Sequence, residues 1–290
     1  MHRIGVLMDP VPSQEEGLRQ GLRELGYVEG KNLIVEWRRS SARNEELESI
    51  AADLARSNVE LIVASGTPAA RAGSLATRLP VVFLAIDPIG SGLVSSLSKP
   101  GGKNTGISAL GAELTAKRLE LLRMFSPHTR RIAYVMNSTN PAAARLLESA
   151  RDAARALKLQ LIPLDARSAV EIDAAFRTIA ESNIDGILFA PDFLFLSNKE
   201  RLASGARAVR LPAMSATKET ELLMSYGPDL REAMRRTASY VDRILRGSQP
   251  GDLPVEQVSK YEFVINLRVA RAVGLEVPQA LLLRADEIVQ

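Results

Sequence analysis

Ile4-Gly-Val-Leu-Met8 and Ile132-Ala-Tyr-Val-Met136 open two stretches of chain that read in the same order. Behind the first come a Pro/Ser loop, a helix-forming segment and the apolar runs Leu33-Ile-Val35 and Leu61-Ile-Val-Ala64. Behind the second come an Asn/Ser/Pro loop, a helix, Leu159-Gln-Leu-Ile162 and Ile187-Leu-Phe-Ala190. Ile4 precedes Leu61 by 57 residues, and Ile132 precedes Ile187 by 55. Short apolar runs alternating with helix-length segments predict parallel sheets covered on both faces. Val81-Val-Phe-Leu-Ala85 agrees, being apolar at every position rather than every second one. Two similar α/β units in one chain are expected to leave a cleft, where function would reside.

Working outward, Ser13-Gln-Glu-Glu16 reads as a capping box for a helix carrying Leu18, Leu22 and Leu25, with Gly26 as its left-handed stop. Residues 44–57 place Leu47, Ile50, Ala51 and Leu54 on one helical face. Thr67 is expected to cap the next helix, with Pro68 at its first position. A short helix is expected between strands 81–85 and 105–109. The second half predicts helices 141–157, 170–182 and 198–209 and strands 159–163, 185–190 and 212–215. Asp229-Leu-Arg-Glu232 opens a last long helix along Leu230, Met234, Val241 and Leu245, and Tyr261–Ile265 is one more strand.

The chain has 290 residues, enough for two domains that each bury a core. It is 46% hydrophobic and 24% charged, and no run approaches the 18 apolar residues of a membrane span. Its net charge is only +3, and the basic residues sit beside acids, as in Arg118/Glu120 and Arg151/Asp152. These read as solvated helix faces rather than a nucleic-acid surface. With no cysteine, disulfides, thiol nucleophiles and thiolate metal sites are excluded. Met-His-Arg followed at once by a strand carries no export signal.

In an open parallel sheet, ligands bind beyond the carboxyl ends of the strands. The loops expected there are Asp9–Ser13, Ser65–Thr67 and Asp87–Gly90 in the first half. In the second they are Asn137–Pro141, Pro191–Phe195 and Ser215–Thr217. Hydroxyl and amide side chains at helix starts suit a small carboxylate; they are also ordinary helix caps. Phe193 and Phe195 are conspicuous in a chain with 4% aromatics, either covering a ligand or packing under a helix. Asp87 and Asp192 suit an ammonium group or their own turns.

Catalytic signatures are thin. Gly-x-Ser-x-Gly, His-Glu-x-x-His and Cys-x-x-Cys do not occur. Ser95 stands where a dinucleotide fingerprint would need its third glycine, and Gly101-Gly-Lys103 lacks the upstream glycine of a phosphate loop. His2 is terminal and His128 follows Pro127. Binding without catalysis, cofactor or metal is the expectation.

Gly21-Leu-Arg-Glu-Leu-Gly-Tyr-Val-Glu-Gly-Lys-Asn32, Asp87-Pro-Ile-Gly-Ser-Gly-Leu-Val94, Lys99-Pro-Gly-Gly-Lys-Asn-Thr-Gly106 and Lys117-Arg-Leu-Glu-Leu-Leu122 occur in that order. Leu223-Met-Ser-Tyr-Gly-Pro-Asp229, Tyr240-Val-Asp-Arg-Ile-Leu-Arg-Gly247, Asp252-Leu-Pro-Val255 and Ala285-Asp-Glu-Ile-Val289 follow. Together they resemble the ABC-transporter substrate-binding proteins related to a bacterial tryptophan-uptake binding protein. The resemblance implies the type I periplasmic binding protein fold, with two Rossmann-like lobes, parallel sheets and a three-segment hinge. Lobe 1 would comprise residues 1–109 and 227–255, and lobe 2 residues 110–226 and 256–290. The hinge segments would fall near Ser108–Gly111, Tyr226–Asp229 and Pro254–Val258.

It further implies an extracytoplasmic location, periplasmic or membrane-anchored, with the export signal absent from this chain, and a permease partner. No nucleic acid, no membrane insertion by the chain itself and a monomeric state are expected. The ligand would be an amino acid, aromatic or otherwise apolar, captured by lobe closure. Pro12, Ser13, Ser65, Gly66, Thr67, Asp87, Asn137, Asn140, Pro141, Ala142, Asp192, Phe193, Phe195, Ser215 and Tyr226 are the expected ligand residues. Ser65–Thr67 hydroxyls and N–H groups, helped by Asn140–Ala142, would hold the carboxylate. Burying roughly 150–250 Å² of aromatic side chain at about 25 cal/mol/Å² gives ~4–6 kcal/mol, enough to favour micromolar binding. The alternatives are a two-lobe enzyme, such as a racemase, or a cytosolic ligand sensor. The first would need paired cysteines in its cofactor-free form, and the second an attached helix-turn-helix.

Overall fold

A computed structural model describes residues 1–39, 44–109, 112–218 and 221–290. The chain divides into two compact units. Unit 1 is Met1–Leu110, Asn140–Ala142 and Asp229–Ser259; unit 2 is Gly111–Thr139, Ala143–Pro228 and Lys260–Gln290. Of the expected hinge segments, Ser108–Gly111 lies partly outside the described residues.

Unit 1 is built from β1 (His2–Met8), α1 (Pro12–Glu24), β2 (Leu33–Arg39), α2 (Asn44–Arg56), β3 (Leu61–Ser65), α3 (Thr67–Ala76), β4 (Val81–Ile86) and β5 (Asn104–Ala109). Its sheet runs β11-β5-β4-β3-β1-β2 with every pairing parallel, where β11 is the two-residue strand Glu256–Gln257. Every residue of β3 is buried, as befits a strand with helices on both faces. Leu54, Phe83, Ile62 and Ala70 centre one side of the core.

Residues 88–103 hold turns and bends, and the short helix expected there is absent among the described residues. Three glycines (Gly92, Gly101 and Gly102) and two prolines, Pro88 and Pro100, interrupt any helical hydrogen-bond run in that segment.

The outer layer of unit 1 is closed from far along the chain by α9 (Leu230–Leu245). Asp229 caps it, Oδ1 accepting the Glu232 N–H at 3.0 Å, as the Asp-x-x-Glu pattern predicts. The Glu232 carboxylate also accepts from Arg235, at 2.7 and 2.8 Å. Leu230, Met234, Ala238 and Val241 form the buried stripe. Gly17 and Gly21, one turn apart on α1, let the two helix backbones touch. A Cβ at either would lie 2.2 Å from a backbone oxygen, that of Arg231 or of Arg235.

Unit 2 contains α4 (Ala112–Phe125), β6 (Arg131–Met136), α5 (Ala143–Ala156), β7 (Gln160–Asp165), α6 (Ala169–Glu181), β8 (Gly186–Phe189), α7 (Phe193–Ser197), α8 (Lys199–Val209), β9 (Ala213–Ser215) and β10 (Met224–Pro228). After the excursion through α9 come β12 (Tyr261–Asn266), α10 (Leu267–Val273), α11 (Gln279–Leu282) and β13 (Glu287–Val289). The strand order is β13-β12-β10-β9-β8-β6-β7. One pairing departs from the expected parallel sheet: β10 and β12 are antiparallel. Pro228 faces Tyr261, so the chain re-enters beside the point where it left, and the returning strand runs the opposite way.

Candidate functional site

At the carboxyl end of the unit 1 strands, β3 delivers Ser65, Gly66 and Thr67 directly into α3. Gly66 takes φ 100° and ψ 143°, a region closed to side chains with a Cβ, and thereby turns the strand sharply into the helix. Pro68 takes the second helical position, one later than expected, because the helix already begins at Thr67. Thr67 does not cap. It lies within the helix, and its hydroxyl donates to the Ile86 carbonyl and accepts the Ile86 N–H, both at 3.0 Å. The end of β4 is thus sewn to the start of α3.

The Ser65 hydroxyl donates at 2.6 Å to Oε1 of Gln14, a residue with no solvent exposure. A hydroxyl has one proton, so neither the Ser65 nor the Thr67 hydroxyl has one left for a carboxylate, contrary to the expectation. The donors remaining are the Thr67 and Ala69 N–H groups, which have no intrahelical partner, and the Gln14 amide. Ala70 N–H already bonds the Gly66 carbonyl.

Pro12 stands exposed at the start of α1, and Ser13 is half-buried in its first turn. Val11, not Ser13, is the N-cap, and no side-chain cap is made. Pro12 fits the first helical position, so the helix begins one residue before the expected cap.

Asp87 has φ 47° and closes its own turn. Oδ1 accepts the Gly90 N–H at 3.1 Å, and its carbonyl accepts the Ser91 N–H and hydroxyl at 3.0 and 2.8 Å. This is the turn role weighed against an ammonium partner.

In unit 2 the strand ends bring Asn137 and Asp192 together, with Asn137 Nδ2 3.4 Å from both carboxylate oxygens. Asn137 Oδ1 accepts the Thr139 N–H and hydroxyl, and Asp192 caps α7 through the Leu194 N–H at 2.8 Å. Asn140 Oδ1 accepts the Ala142 N–H at 3.0 Å across Pro141. Ser215 bonds Thr217 in a local turn.

The expected loop 191–195 is helical from Phe193. Phe195 is 2% exposed, its ring 5.5 Å from that of Phe189, so it belongs to the unit 2 core. Phe193-Leu-Phe-Leu196 is apolar throughout, and such a run shows no period from which to tell which ring faces in. Phe193 and Tyr226 are half-buried, and Tyr226 stacks on Tyr261 at 6.3 Å.

Arg118 was read as a solvated partner of Glu120; it is 1% exposed. Its Nε donates to the Tyr226 carbonyl at 2.7 Å, and Nη1 has no partner among the described residues. Burial lowers its pKa from the ordinary guanidinium value to about 10, and burial likewise drives the nearby Tyr134 hydroxyl above its ordinary range. The signal was in the spacing: Arg118 shares a helical face with Leu114, Leu121, Leu122 and Phe125.

A base whose folded pKa is depressed penalises the folded state at every pH below that value, and the penalty is relieved only as pH rises above about 10 toward the ordinary guanidinium value. The full penalty is about 3 kcal/mol, comparable to a charged hydrogen bond of about 1.5–3 kcal/mol. Arg118→Met is therefore expected to leave urea-unfolding stability at pH 7 within about 1 kcal/mol of the parent. A loss above about 3 kcal/mol would show that the guanidinium has a strong partner.

No helix among the described residues is long and apolar enough to cross a membrane. The family model described as ABC transporter substrate binding protein matches residues 6–289. A tyrosine-binding protein of Clostridioides difficile is 24% identical over 267 residues, covering 90% of this chain and 76% of that protein. Among solved structures, an ABC domain from Streptococcus pneumonia in complex with L-Trp has a TM-score of 0.91 at 25% identity, covering 99% of both chains. A conserved domain protein from Vibrio cholerae has a TM-score of 0.93 at 29% identity, again over 99% of both.

Proposed function

Because the chain belongs to the ABC transporter substrate-binding protein family, we propose that it captures an aromatic or other apolar L-amino acid and presents it to a membrane permease. Proteins of this family act in general outside the cytoplasm; the periplasm or the outer face of a membrane is the proposed place for this one.

The observation that carries the amino-acid reading is the cluster of donors at the unit 1 strand ends, where the first turn of α3 and the Gln14 amide converge. An α-carboxylate suits it, since N–H groups without intrahelical partners and a helix dipole both favour negative charge. Tyrosine and tryptophan are the amino acids named for the relatives, which supports an aromatic side chain here. In the proposal, closure of two lobes on a three-segment hinge brings Asn137, Asp192, Phe193 and Tyr226 to the ligand, with a carboxylate from Asp87 or Asp192 facing the ammonium.

Isothermal titration against the proteinogenic L-amino acids, after unfolding and refolding to strip bound ligand, tests the proposal. Micromolar or tighter binding of L-tryptophan or L-tyrosine is expected, with a negative heat-capacity change from apolar burial. Heat from none of them would overturn the amino-acid reading.

A further inference from the structure

We propose that Gln14 is a specificity-determining residue whose side-chain amide donates to an oxygen of the bound ligand. This rests on the carboxylate-binding reading of the unit 1 strand ends given above.

Gln14 lies in α1, is wholly buried, and has Oε1 fixed by the Ser65 hydroxyl at 2.6 Å. That bond holds the amide at the carboxyl end of β3, beside the first turn of α3. The other end of the amide, Nε2, is buried and has no partner among the described residues. An amide NH₂ left dry and unpaired destabilises the fold, so buried donors are nearly always matched. Here the mismatch sits at the one place where Gly66 turns a strand into a helix and two helical N–H groups also lack intrahelical partners. Three donor groups of two kinds, and no available hydroxyl proton, describe a receptor for oxygen atoms rather than for a cation. Ser65 acts as a positioning residue: its bond to Oε1 leaves Nε2 as the end of the amide without a partner among the described residues.

The ligand-free cost and the bound-state gain make opposite predictions for two variants. In the Gln14→Met, Ser65→Ala double variant, the orphan donor and the hydroxyl that would be left unsatisfied are removed together. Its ligand-free melting temperature is expected to equal or exceed that of the parent. Its affinity for L-tryptophan or L-tyrosine, whichever the parent binds, should fall about 10–100-fold.

Gln14→Glu keeps the acceptor for Ser65 but presents a carboxylate where a donor stood. Its affinity is expected to be weakest at neutral pH and to recover as pH falls and the carboxyl gains a proton, whereas the parent's affinity stays flat over that range. A purely structural Gln14 gives a destabilised ligand-free double variant, unchanged affinity and no pH recovery, and that result overturns the proposal. Failure of the parent to bind any L-amino acid overturns the reading it rests on. Parent binding with full affinity in both variants overturns only the role of Gln14.

Discussion

Gly21→Val is expected to remove more than about 3 kcal/mol of stability, read as a fall in the urea midpoint. The first added carbon would lie 2.2 Å from the Arg235 carbonyl oxygen and 2.8 Å from the Ala238 Cβ. Neither neighbour is the flexible end of a long side chain, so the two helices have to part. Parting exposes Leu18 and Leu22 on one side and Met234, Ala238 and Val241 on the other, all of them buried. Two glycines inside one helix already cost about 1 kcal/mol each in propensity; the close approach they permit offsets that. Arg231→Ala, on the exposed face of the same helix pair, is the matched control and should change stability by less than about 0.5 kcal/mol. A Gly21→Val protein within 1 kcal/mol of the parent would show that the backbones do not touch.

Thr67→Val is the second large effect. The substitution preserves shape and removes one hydroxyl, but that hydroxyl serves both the N–H and the carbonyl of Ile86. Two orphaned backbone groups at about 1–3 kcal/mol each give a loss of about 2–6 kcal/mol. Ile86 immediately precedes the Asp87 turn, so ligand affinity should fall together with stability, and urea unfolding and titration with L-tryptophan read the two effects separately. Thr67→Ser restores the hydroxyl and should recover most of both. Recovery by serine separates the hydrogen bonds from the lost methyl group.

The alternation of apolar runs with helix-length segments made the α/β architecture legible, because buried parallel strands leave a pattern that short-range sequence can carry. The antiparallel return of β12 was not legible. It depends on where the chain re-enters unit 2, and nothing within Tyr261–Asn266 records direction. At the site, Gly66 and Pro68 could be placed from residue type alone, since each fits few backbone conformations.

Hydroxyls were harder. Ser65 and Thr67 look like ligand donors in the sequence, and their protons go to Gln14 and Ile86, partners 51 and 19 residues away. Gln14 itself hid inside what read as a capping box. Arg118 was misread because its neighbour Glu120 was counted by adjacency, while helical geometry sets Arg118 among leucines three and four positions away.

The seam between α1 and α9 joins residues near the start of the chain to residues beyond 230, and most of unit 2 is encoded between them, its strands β12 and β13 coming after. During synthesis, therefore, the first unit to emerge cannot finish until most of the second has been made. Its sheet can assemble early, but the glycine-notched face of α1 stays uncovered until more than a hundred further residues have been made. The closing of unit 1 becomes a late, long-range step, the kind that high contact order slows. A nascent chain of this design stays incompletely folded until synthesis is nearly over, since unit 1 waits for α9 and unit 2 for β12 and β13.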